Sequence, residues 1–324
     1  MALEGFDARW RDLPHYIVGV TEQVWEGRDV ASLRRSYAPD ILLRTPAGVV
    51  RGNEAVIAAT LATLHEFPDR QLLADDVIWS GDASTGFLSS HRLVTTATHL
   101  GDGEFGPASG RRVAFRVIAD CAARGGTIDD EWLVRDRGAI VRQLGLEPKG
   151  VAAAEIEREG GAERARAPFG PARDEQGPYR ARGNDDRWGV AYERTLERMM
   201  AADFAAVRRD YDRAVQLETP GGVTRFGYAG VDAFWLGLRS ALPSATFTVH
   251  HRIGREDPLR APRAALRWSL DGTHDGHGPF GPPSGASLHV MGISHAEYGP
   301  EGIRREYVLA DEVAIWKQIV LHGG

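Results

Sequence analysis

The sequence predicts an α+β protein built from two tandem copies of one domain. The main observation is a repeated loop. Residues 98–110 read T-H-L-G-D-G-E-F-G-P-A-S-G and residues 273–285 read T-H-D-G-H-G-P-F-G-P-P-S-G, with nine of thirteen positions identical at a spacing of 175 residues. That spacing is too long for a solenoid unit and about the size of a small domain. The register extends outward: Pro68, Arg92, Glu131, Asp136 and Gln143 map onto Pro243, Arg267, Glu306, Asp311 and Gln318, and Trp132 maps onto Tyr307. Upstream the offset slips to 174, where Arg34-Arg35-Ser36-Tyr37 faces Arg208-Arg209-Asp210-Tyr211. The length of 324 residues agrees with two domains. The expected division is 1–147 for the first domain, 148–184 for a linker rich in Gly, Pro, Ala, Glu and Arg, and 185–324 for the second.

Within a copy, helices come first and strands follow. Ile17, Val20, Val24 and Trp25 form a helical stripe over 15–26 that Gly27 closes, and a short second helix runs from about Asp29 to Tyr37. Ile41-Leu42-Leu43 reads as a short strand ending at Thr45-Pro46. Asn53 is placed to cap a helix over 54–66 bearing Val56, Ile57, Leu61 and Leu64. Residues 71–79, 86–99, 111–121 and 127–135 are β-branched or alternating runs bounded by turns, and copy two follows with a helix at 231–241. Helices followed by an antiparallel meander place the helices on one sheet face.

Composition narrows the function classes. An apolar content of 43% and a charged content of 26% are those of an ordinary soluble protein, and a formal charge of -6 argues against nucleic acid. Cys121 is the single cysteine, so no intrachain disulfide is expected. No signal peptide and no apolar stretch of membrane-spanning length is read, so the expected location is cytoplasmic, with no membrane partner.

The motifs point to a family. Tyr37 and Asp40 flank the first strand, and Phe67-Pro68-Asp69 ends the helix. Thr98-His99 opens the loop that runs to Arg111-Arg112-Val113, and Gly126, Ile128, Glu131 and Trp132 lead to Asp136 and Gln143-Leu144-Gly145. This order resembles the SnoaL-like polyketide cyclases of the nuclear-transport-factor-2-like superfamily. Copy two departs at Ala286-Ser287-Leu288 and lacks the Leu-Gly after Gln318. The resemblance implies two cone-like domains, each a curved sheet wrapped around helices with a largely apolar pocket. It also implies packing as an intramolecular pseudo-dimer, with homo-oligomers a further option. The family closes rings by intramolecular aldol condensation without metal or cofactor, an acidic side chain on a late strand moving the proton. The expectation is a cofactor-independent acid/base enzyme acting on a small, largely apolar carbonyl or ester compound, by cyclisation, isomerisation, dehydration or hydrolysis. The alternative is a binding or accessory module without turnover.

The candidate catalytic residues are His99, Asp120, Glu131, His274 and His295. His99 and His274 each end a strand, where an imidazole can shuttle a proton or simply hold the glycine-rich turn. If His99 acts in catalysis, His99→Ala abolishes activity with little change in melting. The resemblance puts the family acid at Ala119, one place before Asp120. Phe115, Val117, Ala119 and Cys121 share one strand face while Arg112, Arg116 and Asp120 share the other, so Asp120 is either catalytic or paired with Arg116. His295 takes the place of Asp120 in copy two. Glu131 and Glu306 alternate with Trp132 and Tyr307, so acid and aromatic face opposite ways. Tyr37, Arg92, Trp132, Tyr211, Arg267 and Tyr307 are the substrate-binding candidates. Asp136 and Asp311 read as turn caps. Gly101-x-Gly103-x-x-Gly106 imitates a dinucleotide fingerprint but leads into a strand, so nucleotide binding is not expected. Asp271, His274, Asp275 and His277 do not recur as a set in copy one, so no metal is expected either.

Overall fold

The computed structural model describes residues 3–323. In the first half, α1 (Leu13–Trp25) and α2 (Leu33–Ser36) precede β1 (Tyr37–Thr45), β2 (Gly48–Arg51) and α3 (Asn53–Glu66). Strands β3 (Gln71–Asp82), β4 (Gly86–Thr98), β5 (Arg112–Arg124) and β6 (Thr127–Arg135) follow, then α4 (Arg137–Gln143) and α5 (Pro148–Arg158). The second half runs α6 (Arg187–Met200), α7 (Ala205–Asp210), β7 (Tyr211–Thr219), β8 (Val223–Phe226) and α8 (Gly227–Ala241). It closes with β9 (Thr246–Arg255), β10 (Arg263–Thr273), β11 (Ser287–Gly299), β12 (Gly302–Ala310) and α9 (Glu312–Gly323). The two six-stranded sheets have the same order, β2-β1-β6-β5-β4-β3 and β8-β7-β12-β11-β10-β9. No helix among the described residues is long and apolar enough to cross a membrane.

Local chemistry explains the elements. Asp12 caps α1 by accepting from the His15 amide at 2.8 Å, and Asp186 caps α6 through the Trp188 amide at 2.9 Å. Leu13, Tyr16, Ile17, Val20 and Val24 then bury one face of α1 inside the first sheet. Asp136 and Asp311 cap the helices that follow the last strands. The sequence leaves α4 and the short hairpin strand β2 unread, and the meander is incomplete as a description. β1 joins β6 in parallel, with Leu43 beside Glu131, and β7 joins β12 in the same way.

The two sheets pack on each other by the faces that turn away from their own helices. Along β5 successive side chains point to opposite faces. Val117, Ala119 and Cys121 enter the interior of the first domain, while Ile118 and Ala122 meet the second sheet through Ile253, Ala265, Ile293 and Leu309. Polar pairs cross the same layer: Arg92 to Glu297 at 2.9 Å, Asp120 to Arg267 at 3.1 Å and Arg116 to Glu218 at 3.0 Å. Phe169 and Tyr179, from the chain between the repeats, are buried there too, and α5 lies against α9. Both faces of each sheet are therefore buried, one against helices and one against the other sheet.

The duplicated loop joins β4 to β5 and β10 to β11. A Cβ on Gly101 would stand 2.2 Å from the His65 carbonyl oxygen, and one on Gly276 1.9 Å from that of Ser240. Gly106 and Gly281 take left-handed φ of 98° and 84°. The glycines thus close the corner against the end of the preceding helix.

Candidate active site

A cavity of about 180 Å³ opens inside the first domain, between α1, α3 and the inner sheet face. Its wall is largely apolar, with Ile17, Val20, Leu93, Val117, Ala119 and Leu133 among its members. The polar groups that line it are Glu131, Tyr37, His91, Arg70, Arg135 and threonines of α1, β1 and α3.

Glu131 is the carboxyl of this cavity. β6 aims it inward opposite Cys121, on the face and next to the strand that carry Ala119. Burial raises its pKa to about 7, partly offset by the neighbouring Tyr37 hydroxyl and Cys121 thiol. Its Oε2 has no hydrogen-bond partner among the described residues. The His91 imidazole, on β4, is pushed down to about 4 by burial, so it is neutral at pH 7. Two titratable groups are thus held away from their ordinary ranges in one apolar enclosure, which is a functional signature when geometry agrees.

The second domain closes the same space. At the constant offset of 175, Thr60 becomes Trp235, Leu93 becomes Trp268, and Ala59 becomes Phe234. Trp235 and Trp268 are fully buried with ring centroids 5.7 Å apart, in a core with Tyr192, Met199 and Leu270. Gly292 replaces Val117, and a Cβ there would lie 2.2 Å from the Trp268 ring. Glu306 repeats Glu131 and is also raised to about 7 by burial, yet it is fully engaged. Tyr192 Oη donates to it at 2.7 Å, Tyr211 Oη at 2.9 Å and Trp235 Nε1 at 3.3 Å. In the first domain Tyr16 Oη donates instead to the Gly126 carbonyl at 2.8 Å, and Thr60 stands where the tryptophan would be.

The other residues singled out from the sequence lie elsewhere. His99 is buried in the loop corner, with Nδ1 3.0 Å from Ser109 Oγ and Nε2 3.3 Å from Glu66 Oε1. His274 repeats this with Ser284 Oγ at 2.9 Å. Neither lines the cavity, because the strand end turns each imidazole under its own loop. Asp120 faces the second sheet and pairs with Arg267, not Arg116. His295 lies in the same layer, 2.8 Å from Ser90 Oγ and 3.3 Å from Arg92 Nη1. Arg92 also holds Asp75 and stacks 3.4 Å from the Tyr307 ring centre, and Arg267 stacks 3.6 Å from that of Trp132. Trp132, Tyr307, Arg92 and Arg267 therefore line no ligand space within the first domain; parity sends them between the sheets. Tyr211 is spent on Glu306. Of the expected site residues the cavity collects Glu131 and Tyr37. It adds His91, Arg70 and Arg135, which sequence reading passed over. Among the described residues no three His, Cys, Asp or Glu side chains converge as a metal site.

His99→Ala is expected to lower unfolding free energy by about 1–3 kcal/mol, since it removes a fully buried imidazole from between Ser109 Oγ and the buried Glu66 carboxyl. Urea titration and turnover read the two effects separately. Lost turnover at unchanged stability would return His99 to the reaction.

Comparison with known proteins supplies the family. The model of the SnoaL-like polyketide cyclases matches residues 15–144 and that of the SnoaL-like domain matches residues 192–302. None of the curated proteins matches the sequence significantly. Among solved structures, IdmH of Streptomyces antibioticus, assigned as a polyketide cyclase, is 26% identical over 41% of this chain and 98% of its own, with a TM-score of 0.36. TsrD of Streptomyces laurentii is 26% identical over 41% of this chain and 93% of its own, with a TM-score of 0.35. AclR of Streptomyces galilaeus, assigned as a hydroxylase, is 20% identical over 41% and 83%, with a TM-score of 0.36. The chain belongs to the SnoaL-like family, as two SnoaL-like domains in tandem.

Proposed function

We propose that the first domain is a cofactor-independent acid/base enzyme for a small, largely apolar carbonyl compound, and that the second is its structural partner. The observation that carries this is the Glu131 carboxyl, buried at a pKa of about 7 in an open apolar cavity, against its repeat Glu306 locked by three donors in a filled one. The family resemblance puts its acid at Ala119, and Glu131 supplies a carboxylate from the adjacent strand on the same face.

In the ionised form Glu131 takes a proton from the carbon next to a substrate carbonyl. The C–H electron pair moves into the new C=C bond and the carbonyl pair onto oxygen. The neutral His91 imidazole donates a hydrogen bond to that oxygen. The enolate carbon then attacks a second carbonyl of the same molecule, closing a ring. Glu131 returns its proton to the alkoxide formed. Tyr37 orients the carboxyl, and the apolar wall keeps water from the enolate. General-base catalysis at a group titrating near neutrality is the favourable case, because the base is available and still strong.

The test needs no knowledge of the natural substrate. The full chain, incubated in D₂O with a panel of small aryl ketones and β-keto esters, is expected to exchange their α-protons, followed by loss of the proton NMR signal. Binding of these ketones without exchange above the buffer rate would favour the ligand-holding alternative.

A further inference from the structure

The cavity carries a second chemical feature at the end away from Glu131. Arg70, just before β3, and Arg135, at the end of β6, both line it. Arg70 is 2% exposed, and its Nε and Nη1 have no hydrogen-bond partner among the described residues. Arg135 is half-buried, and its Nε is likewise without a partner among them. Arg70 Cζ lies over aromatic rings, 4.2 Å from the centre of Trp25 and 5.5 Å from that of Phe115. The carboxylates nearby are otherwise engaged. Glu66 receives the Phe105 amide at 2.9 Å and faces His99. Glu104 takes Arg137 at 2.5 Å, and Glu26 takes the Leu72 amide at 2.6 Å. A buried guanidinium without acceptors is costly and is seldom left so in a fold without a use.

The repeat shows that the fold itself does not need these charges. At the offset of 175, Arg70 corresponds to Ala245 and Arg135 to Ala310. Both alanines are buried in the core of the filled domain. The pair of arginines is therefore present where the cavity is open and absent where it is closed. Fork-shaped guanidinium groups match a planar carboxylate. Burial lowers the pKa of both arginines; the charge of Arg135 lowers that of Arg70 further and the charge of Arg137 that of Arg135, and nearby carboxylates such as Glu104 offset this only in part.

We infer that the cavity binds an organic carboxylate, its anionic end held by Arg70 and Arg135 and its apolar body reaching toward Glu131. The four-residue step from Glu131 to Arg135 along β6 spans about 13 Å of strand. The substrate class is accordingly a keto acid with its carboxylate well removed from the reacting carbonyl. This rests on the cavity being the substrate site proposed above.

Isothermal titration of the full chain with octanoate, methyl octanoate, acetate and inorganic phosphate tests it. Octanoate is expected to bind about 10- to 100-fold more tightly than its methyl ester, the range for losing charge-assisted hydrogen bonds. Arg70→Met and Arg135→Met are each expected to abolish that preference while the thermal midpoint holds or rises, since each removes a buried unpaired donor. Equal affinity for acid and ester overturns the inference, as does phosphate or acetate binding as tightly as octanoate, which marks a site for small inorganic anions. A preference that survives both arginine variants, folded by circular dichroism, also overturns it. Glu131→Gln is expected to keep the octanoate preference while losing proton exchange. Exchange lost on Glu131→Gln without any octanoate preference would sink the carboxylate site alone, whereas the preference with exchange intact in that variant would sink the acid/base reading alone.

Discussion

Glu131→Gln is expected to lower turnover by about 10²- to 10⁴-fold, the usual range for a general base, and to leave the folded state no less stable. The substitution keeps the shape of the side chain and removes the group that titrates. Two pH measurements sharpen it. Since burial raises the Glu131 pKa from 4.5 to about 7, the ionised carboxylate accumulates as pH passes 7, and wild-type kcat is expected to rise through that region. Stability moves the other way. A carboxyl whose folded pKa lies above its unfolded value binds its proton more tightly in the native state. Its contribution is fully present below about pH 4.5 and is lost as pH rises through about 7. Unfolding free energy of the wild type therefore falls across that window. Glu306, raised to about 7 as well, gives a slope of the same sign, so Glu131→Gln keeps a reduced slope. Denaturant titrations at several pH values read this directly, and an unchanged slope would contradict burial of Glu131.

Trp268→Ala is the substitution with the largest expected cost in stability, about 3–5 kcal/mol, as for other large-to-small changes in a core. Trp268 is fully buried between Trp235 and Phe247, and its Nε1 donates to Ser294 Oγ at 3.2 Å. Removing it leaves a hole in the tryptophan core and takes the indole donor from Ser294. The reciprocal change belongs to the first domain. Leu93→Trp alone meets the Val117 side chain, where the second domain provides Gly292. Leu93→Trp with Val117→Gly therefore reproduces the Trp268–Gly292 pair, and this double change is expected to abolish proton exchange without a comparable loss of stability. Calorimetry of Trp268→Ala and exchange by the double variant check the two halves. A Trp268→Ala protein as stable as wild type would mean that the second domain is not held by its tryptophan core.

The repeat makes the architecture legible in the amino-acid sequence. A constant offset and paired motifs such as Glu131 with Glu306 require two copies of one fold, and the parity along β5 correctly separates Ala119, which lines the cavity, from Asp120, which does not. The inward face of β6 is not legible in the same way. An aromatic residue beside an acid ordinarily suggests that the aromatic turns in, but Trp132 has the second sheet to bury against, so Glu131 can take the cavity side. Where both faces of a sheet are covered, polar and apolar alternation no longer identifies the inside. His99 and His274 stand out because they recur, and what recurs in them is the corner they brace. Arg70, Arg135 and His91 escape notice for the opposite reason: their equivalents are Ala245, Ala310 and Leu266, so a search for shared residues passes over them. The informative signal is a charged or polar residue in one copy replaced by an apolar one in the other. It marks where two domains of one ancestry keep different interiors.

A single comparison bears most directly on the division of labour between the domains. Glu131→Gln and Glu306→Gln, made in the full chain, are assayed side by side for α-proton exchange from the same ketone in D₂O. The expected result is loss of exchange for Glu131→Gln and wild-type exchange for Glu306→Gln, because Glu306 is sealed by Tyr192, Tyr211 and Trp235. Exchange that survives Glu131→Gln, or that falls equally in both folded variants, would contradict an active first domain built on a filled second one.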